Sequence, residues 1–391
     1  MRIAVFSDNF YPELSGVADV ISVLAKELGK LGHQIMIFVP YYSKKDFLRI
    51  KKDKQEIFLG ASVKIFRMLS LPCPFVGTRQ ARAVILGSGF FALKKFKPDI
   101  IHSHQFFGAG LNALFFSKIL SVPLVGTNHT FIEAIAKAAL FKSDWLTKIL
   151  SFYQIWYYNH CKLVTAPTTW ILNKMARDGL SVKTEVLANP VDSSIFNFTP
   201  AQRNLLRKKY NLSGSVLVYA GRLAKDKKVD VLMHSFASII KIIPQSTLLI
   251  CGHGVEDKHL GKLCEDLKIG DKVLFFGSVD HHILSELYNA SDIFVISSTS
   301  EVQSMTVLQA MACGLPIVAA SAGGLVDLIN ERNGALFAPE NSVEMAQKII
   351  FLLQSEKIYK VCQYQALLDS ERFFLPAIAK QWEGVYNTVL E

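Results

Sequence analysis

The sequence predicts an α/β protein made of two doubly wound, Rossmann-like domains. Short apolar runs alternate with helix-length segments, which is the rhythm of βαβ units and a parallel sheet. That rhythm breaks once, over residues 187–200, and then starts again. The chain has 391 residues, more than the roughly 100–200 that one domain usually takes.

The elements follow in order. Ile3–Phe6 is an unbroken apolar run and reads as a buried strand, and residues 16–31 then carry apolar positions at helical spacing. Gln34–Val39, Asp99–His102, Leu124–Thr127 and Leu163–Ala166 are the next strands, separated by helix-length segments. Residues 187–200 hold two prolines and no period, and read as the crossing between domains. Val216–Ala220, Thr247–Cys251, Val273–Phe276, Ile293–Ile296 and Ile317–Ala320 follow, each ending in a Gly- or Ser-rich turn before a helix. The boundaries expected are 1–190 for the first domain and 191–371 for the second. A terminal amphipathic helix carries Trp382 and Tyr386 at helical spacing. In such domains ligand loops lie at the carboxyl ends of the strands, so the two sets are expected to face each other across a cleft.

Composition narrows the function. Half of the residues are hydrophobic and 19% are charged, which suits a large core and not a disordered chain. The net charge of +10 is uneven: residues 1–190 carry 24 Lys and Arg against 12 Asp and Glu, and residues 191–391 carry 19 against 21. A basic first half suits phosphorylated ligands or an anionic lipid surface. No nucleic-acid module is recognisable, so nucleic acid is not an expected partner. The six cysteines form no CxxC pair and read as reduced, buried thiols. The N-terminal apolar run is too short for a signal peptide, and no uncharged apolar run reaches about 18 residues. The expectation is a cytoplasmic protein that meets a membrane, if at all, peripherally on its inner face.

Three loops carry candidate chemistry. Tyr11-Pro12-Glu13-Leu14-Ser15-Gly16-Val17 lies between the first strand and first helix, where Gly16 lets backbone approach a phosphate at a helix N-terminus. Gly221-Arg222-Leu223-Ala224-Lys225-Asp226-Lys227-Lys228 follows the first strand of the second domain. Arg222 and Lys227 there offer two positive charges to one diphosphate, without the spacing of a nucleotide-hydrolase P-loop. In the third loop, Ser298 to Pro316, a helix starts near Ser304. Glu301 sits at the turn, able to accept from sugar hydroxyls, and Gln309 lies about one and a half turns inside the helix.

This order of motifs resembles the family-4 retaining glycosyltransferases of GT-B fold, over nearly the whole chain. Asn189-Pro190-Val191-Asp192-Ser193-Ser194-Ile195-Phe196 and Ala310-Met311-Ala312-Cys313-Gly314-Leu315-Pro316 are similar to that family as well. The resemblance implies a hexosyltransferase taking a UDP- or GDP-sugar as donor substrate, with no cofactor. Arg222 and Lys227 would bind the donor diphosphate and Glu301 the donor sugar hydroxyls. Gly16 would line the phosphate side. His129, in Gly126-Thr127-Asn128-His129-Thr130, matches the family's N-domain histidine near the reacting sugar and is, with Glu301, a candidate catalytic residue. Residues 372–391 would pack back on the first domain.

One departure stands out. The family pattern is Glu, seven residues, Glu, and the second Glu usually binds the donor ribose; here it is Gln309. A neutral amide both donates and accepts, so a ribose diol remains bindable. No Asp-x-Asp pair occurs, so no carboxylate clamp for a divalent ion is expected. Arg222, Lys227 and helix N-termini would neutralise the leaving group instead.

The chain also resembles the bacterial branch that glycosylates diacylglycerol or related lipids. Residues 75–97 combine Phe75, Phe90, Phe91 and Phe96 with Arg79, Arg82, Lys94, Lys95 and Lys97. Residues 131–158 combine Phe131, Ile135, Leu140, Phe141, Trp145, Leu146, Ile149, Leu150, Trp156 and Tyr157 with Lys137, Lys142 and Lys148. Basic residues beside aromatic and aliphatic ones suit an interfacial helix on anionic lipid. The competing readings are the same chemistry on a soluble sugar or metabolite, and a non-catalytic sugar-nucleotide-binding protein.

Overall fold

The computed structural model describes residues 1–12, 15–49, 55–73, 82–133 and 144–391. Contacts divide the chain into two compact units, Met1–Pro190 with Leu375–Glu391, and Val191–Phe374.

Among the described residues of the first unit, β1 (Arg2–Phe6), β2 (Gln34–Pro40), β3 (Val63–Met68), β6 (Ile100–Ser103), β7 (Leu124–Thr127), β8 (Leu163–Ala166) and β9 (Thr184–Val186) form one parallel sheet in the order β3-β2-β1-β6-β7-β8-β9. Between β3 and β6 a short antiparallel hairpin pairs β4 (Ser70–Pro72) with β5 (Arg82–Val84). The central strands are buried on both faces and mainly apolar, as a sheet covered by helices requires, with His102, Ser103, Thr127 and Thr165 as buried polar residues among them. The helix Gly16–Lys30 starts at Ser15, whose hydroxyl accepts from the Ala18 N–H at 3.2 Å. It buries Ile21, Leu24, Ala25 and Leu28 on one face. The terminal helix Leu375–Leu390 presents Ile378, Trp382, Val385, Tyr386 and Val389 to the same core.

The second unit repeats the plan. β10 (Ser215–Ala220), β11 (Ser246–Cys251), β12 (Val273–Gly277), β13 (Ile293–Ile296), β14 (Ile317–Ala320) and β15 (Gly334–Phe337) form a parallel sheet in the order β12-β11-β10-β13-β14-β15. The helices Val229–Ile242 and Ser342–Gln354 cover one face through Leu232, Phe236, Ile239, Met345 and Ile349. Where the chain enters and leaves this unit its two ends run together: Val191 N–H donates to the Phe373 carbonyl at 2.7 Å.

The sequence reading passed over β3, β9, β15 and the hairpin. Among its interfacial residues, Tyr157 is corrected: it is fully buried, and its hydroxyl donates to the Gly110 carbonyl at 3.1 Å. Glu13, Leu14, Phe75, Arg79, Ile135, Lys137, Leu140, Phe141 and Lys142 lie outside the described residues.

Candidate functional site

In the second unit the strand order reverses between β10 and β13. Loops leaving two such strands diverge to opposite faces, and the crevice at their carboxyl ends is where open α/β sheets bind ligands. The loop after β10 carries Arg222 and Lys227, and the loop after β13 carries Glu301. Ser297, next after β13, donates its hydroxyl to the Lys228 carbonyl at 2.6 Å and ties the two loops together. Within that frame Lys227 Nζ lies 2.6 Å from Glu301 Oε1, with the two side chains 14% and 13% exposed.

Asp226 completes the network. Its Oδ2 accepts from the Ser300 hydroxyl at 2.9 Å and stands 3.7 Å from both Lys227 Nζ and the Arg222 guanidinium. Burial alone would raise this carboxyl, but the charges of Lys227 and then Arg222 outweigh it and hold it below its ordinary value. Arg222 is the arm of the cluster left in water, with 62% of its side chain exposed. The arrangement offers two cations and two acceptors in one loop pair, which suits an anionic group carrying hydroxyls.

Glu301 is positioned by its backbone. Its carbonyl accepts from Gly324 N–H at 2.8 Å, and a Cβ on Gly323 (φ +57°) would come within 2.5 Å of that same oxygen. Only glycine permits this approach. The helix Met305–Ala312 begins just beyond, with Ser304 as its cap residue, and its first N–H groups are left without partners inside the helix. Gln309 lies on that helix and is 5% exposed.

The sequence reading missed the turn Gly252-His253-Gly254 after β11. A Cβ on Gly252 would fall 1.8 Å from the Gly221 carbonyl oxygen, and one on Gly254 would fall 1.9 Å from that of Leu223. The Gly221–Leu223 backbone therefore rests directly on this turn. The signal was present, a Gly-x-Gly immediately after an apolar run.

In the first unit the order reverses between β1 and β6. Ser7, Asp8 and Asn9 follow β1, and His104 and Gln105 follow β6. The Gln105 side-chain carbonyl accepts from the N–H groups of Asp8 and Asn9 at 2.9 and 3.0 Å, joining the two strand ends. Asp8 Oδ1 accepts from Ala109 N–H at 2.7 Å, at the start of the helix Gly108–Leu120. Its Oδ2 is buried and has no hydrogen-bond partner among the described residues. Burial pushes this carboxyl up to about 6, against the lowering effect of the helix N–H groups.

His129, after β7, is brought beside His104: Nε2 of His129 lies 3.0 Å from Nδ1 of His104, with the ring centroids 5.2 Å apart and the planes within 9° of parallel, so the two rings meet edge to edge. His104 in turn packs at 4.1 Å on His102, which bonds Thr127 through Nε2 and the Tyr386 hydroxyl through Nδ1. Burial lowers His129 to about 4 and His104 well below the ordinary histidine value, so both rings are neutral at pH 7. Gly16 opens its helix as the first helical residue and is exposed. Thus His129 stands among first-unit strand-end residues, and Arg222, Lys227 and Glu301 gather in the second unit.

Comparison with known proteins bears on the family and the fold. The model for Glycosyltransferase Family 4 matches residues 14–195, and that for Glycosyl transferases group 1 matches residues 202–368. An alpha-monoglucosyldiacylglycerol synthase of Streptococcus pneumoniae is 26% identical over 97% of this chain and 86% of its own. A mannosylfructose-phosphate synthase of Agrobacterium fabrum is 27% identical over 92% of this chain and 85% of its own. The crystal structure of Anabaena Alr3699/HepE in complex with UDP superposes with a TM-score of 0.80 at 20% identity, covering 99% of this chain and all of that one. The two family matches together take in nearly the whole chain: it belongs to the family-4 glycosyltransferases, has the GT-B fold and is an enzyme that transfers sugars.

Proposed function

We propose that this family-4 glycosyltransferase moves a hexose from a UDP- or GDP-sugar to a hydroxyl of a membrane lipid such as diacylglycerol, with retention at the sugar carbon. The observation that carries the donor half is the Arg222, Lys227 and Glu301 cluster at the reversal point of the second sheet. Arg222 and Lys227 bind the donor diphosphate, Glu301 accepts from hydroxyls of the donor sugar, and Gln309 meets the ribose. Gly16 lines the phosphate side and His129 serves the reacting sugar. The bond from the sugar carbon to the diphosphate oxygen breaks as the acceptor oxygen bonds to the same face. The acceptor proton passes to the departing diphosphate. Charge grows on that diphosphate in the transition state, where two fixed cations contribute most, and no metal is required.

The lipid half rests on the monoglucosyldiacylglycerol synthase relative and on one helix. On Asp144–Tyr158, Trp145, Ile149, Phe152 and Trp156 recur at helical spacing and face water, with Trp145 70% and Phe152 75% exposed. Lys148 stands beside them, also exposed. An outward stripe of this kind costs free energy in water and regains it in the headgroup region of a bilayer. Phe91 adds a further exposed ring on the helix Phe90–Phe96, followed by Lys94 and Lys95. Among the described residues no helix is long and apolar enough to cross a membrane. The protein would therefore work as a peripheral enzyme.

The test offers UDP-glucose, UDP-galactose and GDP-mannose in EDTA, with and without vesicles of diacylglycerol and anionic lipid. Vesicle-dependent release of nucleotide, lost in Arg222→Ala and Glu301→Ala, supports the proposal. Transfer to a soluble sugar phosphate, indifferent to vesicles, would favour the soluble-acceptor reading that the mannosylfructose-phosphate synthase relative motivates. Donor binding without release from any donor would overturn both and mark a binding protein.

A further inference from the structure

We propose that His104 is a positioning residue that holds His129 in a single tautomer, with its proton on Nε2 and its lone pair on Nδ1. The inference rests on the proposed role of His129 at the reacting sugar. Its evidence is separate, namely the His104–His129 pair itself.

The two rings meet through Nδ1 of His104 and Nε2 of His129 at 3.0 Å. Both are neutral at pH 7, because removal from water disfavours either imidazolium. A neutral imidazole has one donor nitrogen and one acceptor nitrogen, so one ring must donate to the other. Two arrangements satisfy this. If His104 donates from Nδ1, His129 must carry its proton on Nδ1, and both rings take the Nδ1–H form. If His129 donates from Nε2, both rings take the Nε2–H form. Isolated neutral imidazole side chains favour Nε2–H, and here that preference counts twice in the same direction. The hydrogen bond made by one nitrogen fixes what the other nitrogen offers. His129 therefore offers Nδ1 as an acceptor, suited to a hydroxyl and unsuited to a phosphate oxygen.

The surroundings keep His104 in place for this task. Its ring packs against His102 with centroids 4.1 Å apart and the planes tilted by 34°, and His102 is bonded on both sides, by Thr127 at 2.6 Å and by the Tyr386 hydroxyl at 2.8 Å. Thr127 is in turn bonded to Thr165 at 2.7 Å. The pair is thus backed by a hydroxyl network spanning three adjacent strands and the terminal helix.

The experiment labels the ten histidines with nitrogen-15 and reads ring tautomers from long-range proton–nitrogen correlations, assigning His129 by its loss in His129→Ala. The expected result is a single Nε2–H tautomer for His129 in the intact protein and in His104→Asn, whose amide oxygen can still accept, but a mixture in His104→Phe. An Nδ1–H form, or a mixture already in the intact protein, overturns the proposal whatever the activity of the enzyme. In transfer assays, His104→Phe is expected to lower kcat about five- to tenfold, as loss of one hydrogen bond implies, with donor KM unchanged. His104→Asn should restore most of it. In a His129→Ala background His104→Phe should cost nothing more; losses that multiply would overturn the coupling. Full activity in His129→Ala, with the tautomer result as expected, would sink the role of His129 and leave the pairing standing.

Discussion

Replacing Asp8 by Asn should stabilise the first unit, and do so more as pH rises. Asp8 is 7% exposed, with one oxygen on the Ala109 N–H and the other unpartnered among the described residues. Its carboxyl is raised from 3.8 to about 6 by burial. Folding then takes up a proton wherever the pH lies between these values, so stability falls as pH rises through that window. The full penalty above the folded value is about 3 kcal/mol, at roughly 1.4 kcal/mol per unit. About half of it develops between about pH 5 and about pH 7.5, which gives some 1.5 kcal/mol to look for in a convenient range. Asn cannot ionise and can still accept from Ala109. All four tryptophans, Trp145, Trp156, Trp170 and Trp382, belong to the first unit, so urea unfolding followed by tryptophan fluorescence reports on it alone. The stability difference between Asp8→Asn and the unaltered protein should grow by about 1.5 kcal/mol over that interval. A difference that stays constant with pH would refute the reasoning, because it would mean that Asp8 ionises as readily folded as unfolded. A carboxyl kept at this cost beside the reversal point of a sheet is the pattern of a residue retained for activity.

Other perturbations address the second unit. Lys227→Met should weaken binding of UDP or GDP by at least tenfold in calorimetry, since one charge-assisted bond contributes about 1.5–3 kcal/mol; unchanged affinity would remove Lys227 from the donor site. Gln309→Glu places an ionisable group at a position only 5% exposed, so thermal unfolding should show a loss of about 1–3 kcal/mol that is larger at pH 8 than at pH 5. Saturating donor should recover part of that loss if the side chain meets the ribose. Gly252→Ala must open the contact with Gly221, where a Cβ would stand 1.8 Å from the carbonyl oxygen; it should both destabilise the second unit and raise donor KM.

Central strands were legible because burial on both faces favours unbroken apolar runs, as in Ile3–Phe6 and Ile293–Ile296. Edge strands obey no such demand. Thr184–Val186 is exposed throughout, and Val63–Met68 interleaves Lys64 and Arg67 with its apolar residues, so neither shows the run. The donor-side candidates could be read because Arg222, Lys227 and Glu301 follow strands whose ends are visible in the sequence. Asp8 and His104 also follow strands, but their meaning depends on β1 lying beside β6, and strand order leaves no local trace. The exposed stripe was half legible: Trp145, Ile149 and Trp156 were picked out, Phe152 was overlooked and Tyr157 wrongly included. Aromatic residues on a helix look alike in sequence whether they face water or the core.

The second unit is an insertion within the first, because the chain leaves at Pro190 and returns at Leu375. During synthesis residues 191–374 emerge complete before the helix that carries Trp382 and Tyr386 exists. The second unit can therefore close on the ribosome while the first still exposes the face of Gly16–Lys30 that this helix covers. A stalled or shortened product would then hold a folded second unit joined to an open, sticky first one. Quality control by chaperones and proteases would act on the N-terminal portion of such a product, although that portion was made first.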